Sequence, residues 1–363
     1  MKSAKYNPWL FWFAGLTAFA TLLLLGLGGL VTSHEAGMSV PDWPNTYGYN
    51  MFLFPVSRWV GGIFYEHSHR LLASAVGLMT TILAVWLWLK DARSWMHWLG
   101  VAAFLGVVAQ GVLGGLRVTL HMDSLGIYHG TIAQLFFVLT CALALFTSRW
   151  WVESKAGAAA GESRQPGDGG ATTASGRGKE PRGLVLAATL LILGQLILGA
   201  TMRHQHAGLA IPDFPFAYGR AWPDTSAEAV AQYNAQRTPV NGINPITVFQ
   251  IELQMAHRLA ALAILILVAA CAAQSWRRVG RRHALTKLAS IWLGLILAQV
   301  ALGAATIWSN KAADVATAHV LVGALALTIG ALWCIVAFRR PVPAPSTNPI
   351  GVFGAQPALA ANE

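Results

Sequence analysis

Glu66-His67-Ser68-His69-Arg70-Leu71 in the first half of the chain is answered by Gln254-Met255-Ala256-His257-Arg258-Leu259 in the second, and both stretches lie in apolar sequence of helical length. Farther along each half another histidine opens an apolar run: His129 in Ile127-Tyr128-His129-Gly130-Thr131, and His319 in Thr317-Ala318-His319-Val320-Leu321. The echo also extends upstream. Ala36-Gly37-Met38-Ser39-Val40-Pro41-Asp42-Trp43-Pro44 is matched by Ala207-Gly208-Leu209-Ala210-Ile211-Pro212-Asp213-Phe214-Pro215. Self-similarity on this scale marks a duplicated structural unit.

Hydrophobic residues make up 55% of the chain and charged residues only 11%. Mean hydropathy is +0.51, which places the chain among integral membrane proteins rather than soluble domains. A spanning helix needs roughly 20 apolar residues, and such stretches are read at 9 to 31, 66 to 89, 95 to 117, 125 to 147, 183 to 203, 249 to 274, 285 to 308 and 314 to 338. The alternation of a spanning barrel is absent. The expected fold is therefore all-α, with eight transmembrane helices.

Lysine and arginine cluster at one set of helix ends: Lys2, Lys5, Lys90, Arg93, Arg149, Lys155, Arg277, Arg278, Arg281, Arg282, Lys287, Arg339 and Arg340. Cytoplasmic loops hold such an excess, so both termini are expected in the cytoplasm and loops 32 to 65, 118 to 124, 204 to 248 and 309 to 313 on the outer side. The +10 net charge then largely reflects topology and does not indicate a nucleic-acid surface. The first span is long and lacks a small-residue cleavage site, so it is expected to be retained in a multi-pass protein of the cell inner membrane. Cys141, Cys271 and Cys334 all fall within spans and read as packing residues.

Residues 152 to 182, rich in Gly, Ala, Ser and Thr, read as a disordered cytoplasmic linker, and the Pro- and Ala-rich residues 341 to 363 as a disordered tail. They delimit an amino-terminal four-helix unit, 1 to 151, and a carboxy-terminal one, 183 to 340. An even number of spans per unit gives both units the same orientation, related by a pseudo-twofold axis along the membrane normal.

On this topology His69, His129, His257 and His319 share one depth, near the outer ends of even-numbered spans. Each pair falls on two helices of one unit. Ionisable groups within a bilayer are costly and usually functional, and bundle cores hold cofactors between facing helices. Two histidines per unit, without cysteine or further carboxylate to complete a tetrahedron, disfavour zinc. They suit iron held by histidine on both faces of a heme. Arg70 and Arg258 follow the ligands and could pair with heme propionates, and Arg117 is a weaker candidate of the same kind.

The halves differ at one chemically important position. Glu66 stands about one turn outward of His69 on the same face, whereas its counterpart is Gln254. A carboxylate beside a heme can exchange protons or stabilise positive charge, so the amino-terminal site is expected to be catalytic and the other to transfer electrons. His67 points away from His69, while His34, His97, His121, His204, His206 and His283 read as structural or solvated. The Pro-Asp-aromatic-Pro segments read as rigid turns that either lid the pockets or anchor in headgroups.

Taken together, Glu66-x-x-His69-Arg70 opening span two, histidines opening spans four, six and eight, and the Gly28 to Ser33 and Gly37 to Pro44 segments resemble the heme A synthase family. The resemblance covers nearly the whole chain apart from the linker and tail. It implies oxidation of the C8 methyl of heme O to a formyl, giving heme A for terminal oxidases. It further implies that Glu66, His69 and His129 serve the substrate heme, while His257 and His319 hold heme b as an electron carrier. A quinol or other membrane donor and a heme O synthase (a farnesyltransferase) are the partners it suggests. Ser33 stands where some members carry arginine, and the outer-loop cysteine pair of some bacterial members is missing. A diheme membrane cytochrome for quinol-linked electron transfer is the alternative; a duplicated transporter fits less well, because its site would lie near the midplane in broken helices.

Overall fold

A computed structural model describes residues 5–153, 181–237 and 244–339. Eight of its helices are long and apolar enough to cross a membrane. They are α1 (Pro8–Ser33), α2 (Gly62–Lys90), α3 (Ser94–Thr119), α4 (Leu125–Thr147), α5 (Arg182–His204), α7 (Val248–Val279), α8 (Ala284–Trp308) and α9 (Ala313–Ala337). A short polar helix, α6 (Ala227–Gln236), lies in the loop before α7. No strand occurs among the described residues beyond two isolated bridges, Thr46 with Tyr49 and Ala217 with Arg220. The all-α expectation holds.

Local chemistry sets the helix ends. Pro8 starts α1, where a missing N–H costs nothing, and the Asn7 side chain accepts from the N–H groups of Trp9 and Leu10 at 3.1 and 3.3 Å. Thr247 and Gln250 form a reciprocal capping box at the start of α7. Hydropathy alone placed the start of the second span at Glu66, but α2 begins four residues earlier, after Gly61 turns the chain at φ +55°. Glu66 is consequently inside the helix. Helix α6 is too short and polar to register as a span; Ser226 caps its start, and Val230 and Tyr233 pack against the cluster of Ile211, Ile246 and Ile251.

In the first unit α1 packs on α2 and α4, and α3 packs between α2 and α4. The second unit repeats these neighbours with α5, α7, α8 and α9. The units meet through α1 with α9, α4 with α5, and α4 with α9. Each has its own core: Val76, Leu83, Leu87, Met96 and Leu143 in the first, Val185, Val268, Ala289, Trp292 and Trp333 in the second. Small residues permit close helix approach; a methyl at Gly330 would stand 2.5 Å from Thr189 Oγ1 and 2.8 Å from Trp292. Leu78, Leu105, Ile266 and Ile291 are each more than half exposed, as suits side chains solvated by lipid. The expected linker falls outside the described residues except at its ends, and the expected tail lies wholly outside them.

Candidate functional site

Helices α2 and α4 bring the His69 and His129 rings to 6.5 Å between centroids, inclined at 74°. Helices α7 and α9 bring His257 and His319 to the same 6.5 Å, inclined at 54°. The four histidines therefore form two pairs, one in each unit. Two metal–nitrogen bonds of about 2 Å each, plus about 1 Å from each ring centre to its nitrogen, would span roughly 6 Å. Among the described residues no group of three or more His, Cys, Asp or Glu is arranged to hold a metal. A two-imidazole donor set suits an iron whose equatorial positions a macrocycle fills, and it is too few for structural zinc.

Every paired ring lies against a glycine on the preceding membrane helix. A methyl at Gly28 would stand 3.1 Å from His69 Cε1, at Gly114 3.4 Å from His129 Cε1, at Gly199 3.3 Å from His257 Cε1 and at Gly303 3.2 Å from His319 Cε1. These glycines make room for the imidazoles and set their approach. The signal was present in the sequence as Leu27-Gly28-Gly29, Leu113-Gly114-Gly115, Leu198-Gly199-Ala200 and Leu302-Gly303-Ala304. One turn earlier on three of these helices stand Gln110, Gln195 and Gln299. Gln195 Nε2 donates to the His257 carbonyl and Gln299 Nε2 to the His319 carbonyl, both at 2.9 Å. The Gln110 amide lies 3.1 Å from His129 Nδ1 and 3.2 Å from its carbonyl.

The two loops ahead of α2 and α7 are built alike. Asp42 accepts from the N–H groups of Tyr47 and Gly48 at 2.7 and 2.8 Å, and Asp213 does the same for Tyr218 and Gly219. The Tyr47 hydroxyl donates to the Ser39 carbonyl at 2.6 Å, and the Tyr218 hydroxyl to that of Ala210. Both Trp43-Pro44 and Phe214-Pro215 are cis. Burial pushes the Asp42 carboxyl up, but the Gly48 and Tyr47 N–H groups and the Arg70 charge outweigh it, leaving the group below the ordinary carboxylate range. The aromatic of each loop docks on the bundle: Trp43 lies against Gly115, beside the glycine that cradles His129, and Phe214 packs edge-on to Trp308 at 6.1 Å.

Glu66 and Gln254 share one task in this architecture. Glu66 Oε2 accepts from the Val40 N–H at 2.8 Å, and Gln254 Oε1 accepts from the Ile211 N–H at 2.7 Å. Each thus anchors its loop at the same repeat position. Glu66 additionally pairs with Arg70 at 2.7 Å, with both side chains less than a tenth exposed. Arg70 donates to the carbonyls of Asp42, Asn45 and Val40, and Arg258 to those of Phe216 and Asp213. Both arginines are therefore loop tethers in this structure. Arg258 Nε remains buried without a partner.

His67 is fully buried beneath the first loop, 3.2 Å from Thr46 Oγ1 and against Trp59 and Phe54, apart from the His69–His129 pair. His283 caps α8, and His97 contacts the Asp91 carbonyl at 2.7 Å. His204, expected in a loop, is the last residue of α5 and bonds Asp123 of the other unit at 3.2 Å. Asp123 also takes Arg117 at 2.5 Å, while Arg203 donates to the Gly29 carbonyl and Ser33 Oγ. This inter-unit cluster was not found from sequence, since Arg117 and Asp123 lie far along the chain from Arg203 and His204 and the two parts share no local pattern.

The family model described as cytochrome oxidase assembly protein, COX15-CtaA, matches residues 11–330. Among proteins of known function, the chain is 28% identical to the Heme A synthase of Geobacillus kaustophilus strain HTA426, covering 85% of each chain. It is 25% identical to the Heme A synthase of Halalkalibacterium halodurans, over 87% of this chain and 93% of that one. It is 26% identical to that of Rhizorhabdus wittichii strain RW1, over 90% and 93%. The family match runs from α1 into α9 and takes in all four paired histidines, so the chain belongs to the cytochrome oxidase assembly protein (COX15-CtaA) family.

Proposed function

We propose that the protein is a heme A synthase, oxidising the C8 methyl of heme O to a formyl in the first unit while the second holds heme b as an electron carrier. The observation that carries this reading is the recurrence of one partly buried histidine pair, at one spacing, in both units. The names of the relatives support it. Bound heme O would supply the iron and the methyl group that is oxidised.

The residues of the chain have separable tasks in this reading. His69 and His129 hold and orient the substrate macrocycle, and His257 and His319 hold heme b. Glu66 provides the one carboxylate that distinguishes the first site from the second, placed to take a proton or to balance positive charge near the reacting edge. Arg70 and Arg258 supply positive charge on the lid side for heme propionates, and the unpartnered Nε of Arg258 is a donor that a carboxylate would satisfy. The loops built on Asp42 and Asp213 exclude water from above. With the basic helix ends in the cytoplasm, both sites face the outer side of the inner membrane. A quinol or similar membrane donor and a heme O synthase are the partners this placement suits.

Extraction of pigments from protein purified out of cells that make heme O tests the reading. Heme A, or hydroxylated heme O, together with heme b is expected. Heme b alone, with no conversion of supplied heme O, would replace the synthase with a diheme quinol-linked cytochrome.

A further inference from the structure

Between the turn centred on Asp42 and the start of α2 the chain makes two short 3₁₀ turns, Met51–Leu53 and Val56–Arg58. Phe54 is buried and Trp59 partly buried, and their rings close on His67 at 5.1 and 4.7 Å. The apolar side chains around them are left outside: Phe52, Leu53, Val56 and Val60 are 67, 75, 76 and 64% exposed. A cluster of this kind marks a surface that something covers. Arg58 is the one charged residue from 49 to 65, and its guanidinium folds back to 5.3 Å from the centre of the Tyr49 ring.

His67 lies on the second turn of α2, three residues after Phe64, so the segment packed on it runs beside the helix rather than above its end. Phe64, Leu78 and Val85 are all exposed and, spaced by multiples of seven residues, form one apolar stripe along α2 whose first turn the segment flanks. At 1.5 Å per residue α2 extends about 43 Å, past a hydrocarbon core of about 30 Å, which puts its first turns at the headgroup boundary, where aromatic and aliphatic side chains anchor. The second unit has no such surface. Glu252 is exposed at the repeat position of Phe64, and the described residues from 220 to 247 expose one large apolar side chain, Trp222, with the polar α6 where the first unit has its apolar turns. We propose that the segment from Met51 to Val60 is a membrane-anchoring surface of the first unit, seated in the headgroup–acyl boundary of the leaflet at the Gly62 end of α2. It goes beyond the proposed function and holds whatever the histidine pairs bind.

Photo-crosslinking of the full-length protein in phosphatidylcholine vesicles tests the contact. The photoreactive amino acid p-benzoylphenylalanine replaces Leu53, Val56 or Gln232 in turn, with Leu78 as the lipid-facing control, and intact mass is measured after irradiation. All four side chains are exposed, so the replacements leave the packed cores untouched. A gain of one phospholipid mass is expected at positions 53, 56 and 78, and none at position 232 on α6. An adduct at 78 without one at 53 or 56 would overturn the proposal by placing the segment in water. Crosslinking of 53 and 56 to a second chain in place of lipid would overturn it in favour of a contact between copies, and an adduct at 232 equal to that at 53 would remove the distinction between the units on which it stands. A second variant separates anchoring from mere proximity: with the photoreactive group in place of Phe52, Leu53→Asp combined with Val56→Asp should lose most of the lipid adduct, because carboxylates are costly at the acyl boundary. An undiminished adduct there would overturn the anchoring role of the apolar side chains.

Discussion

Glu66 Oε1 and Arg70 Nη2 meet at 2.7 Å on successive turns of α2, a pairing without counterpart in the second repeat, where Gln254 and Arg258 address separate loop atoms. Since Gln254 anchors Ile211 as Glu66 anchors Val40, an amide at position 66 can still hold the loop. What it cannot do is carry charge or exchange a proton.

Glu66→Gln is therefore expected to fold and to retain its substrate heme while losing heme A formation by about 100-fold or more, the range of general acid–base contributions. Chromatography of extracted hemes should show heme O or its hydroxylated form accumulating. Wild-type heme A yield would reduce Glu66 to its loop-anchoring contact.

His257→Ala and His319→Ala each remove one imidazole of the second pair, and each should abolish the low-spin signal of heme b by leaving its iron five-coordinate or its pocket empty. Reduced absorption spectra provide the measurement. An unchanged low-spin heme b spectrum in both variants would refute the assignment of that pair.

Much of this arrangement was legible in the sequence. Spans, repeat and histidine pairs could be read because apolar runs and rare intramembrane histidines carry signal in one dimension. The glycine cradle was equally regular but obscured, since Gly28, Gly114, Gly199 and Gly303 are four of 36 glycines and only the folded pairing shows which ones face a ring. The loop tethers of Arg70 and Arg258 were not foreseen, because hydrogen bonds to backbone carbonyls depend on a loop path that local residue types do not specify. Asp123 with His204 lay beyond reach because the two side chains are 81 positions apart and meet only where the units pack.

The first loop should open in acid. The Asp42 carboxyl sits below the ordinary range in the folded state, so the stability it lends is present above the unfolded value of about 4 and is lost as pH falls through the lowered one. Amide exchange at Tyr47 and Gly48, corrected for intrinsic rate, should show protection at about pH 6 that declines toward about pH 3. In Asp42→Asn the protection should be weaker at the higher pH and nearly independent of pH. Equal protection at both values in the unmodified chain would show that the loop does not depend on this carboxylate.

The glycine cradle gives the most direct test of histidine geometry. A valine at Gly303 would drive its branched carbon into the space 3.2 Å from His319 Cε1, on a helix where backbone shift is resisted by the Gln299 bond to the His319 carbonyl. Overpacking of this kind costs about 1–3 kcal/mol, which corresponds to about 5- to 150-fold in affinity if it is borne by ligand displacement rather than by the fold. Gly303→Val should therefore weaken heme b binding without a matching loss of helix content, and Gly28→Val should do the same for the first-unit heme. Gly111→Val, a glycine on α3 with no neighbour within 4 Å of the added carbon, is the control and should leave both hemes in place. Equal heme occupancy in all three variants would show that the rings do not need these glycines, and the close approach of helix to imidazole would then have no part in ligation.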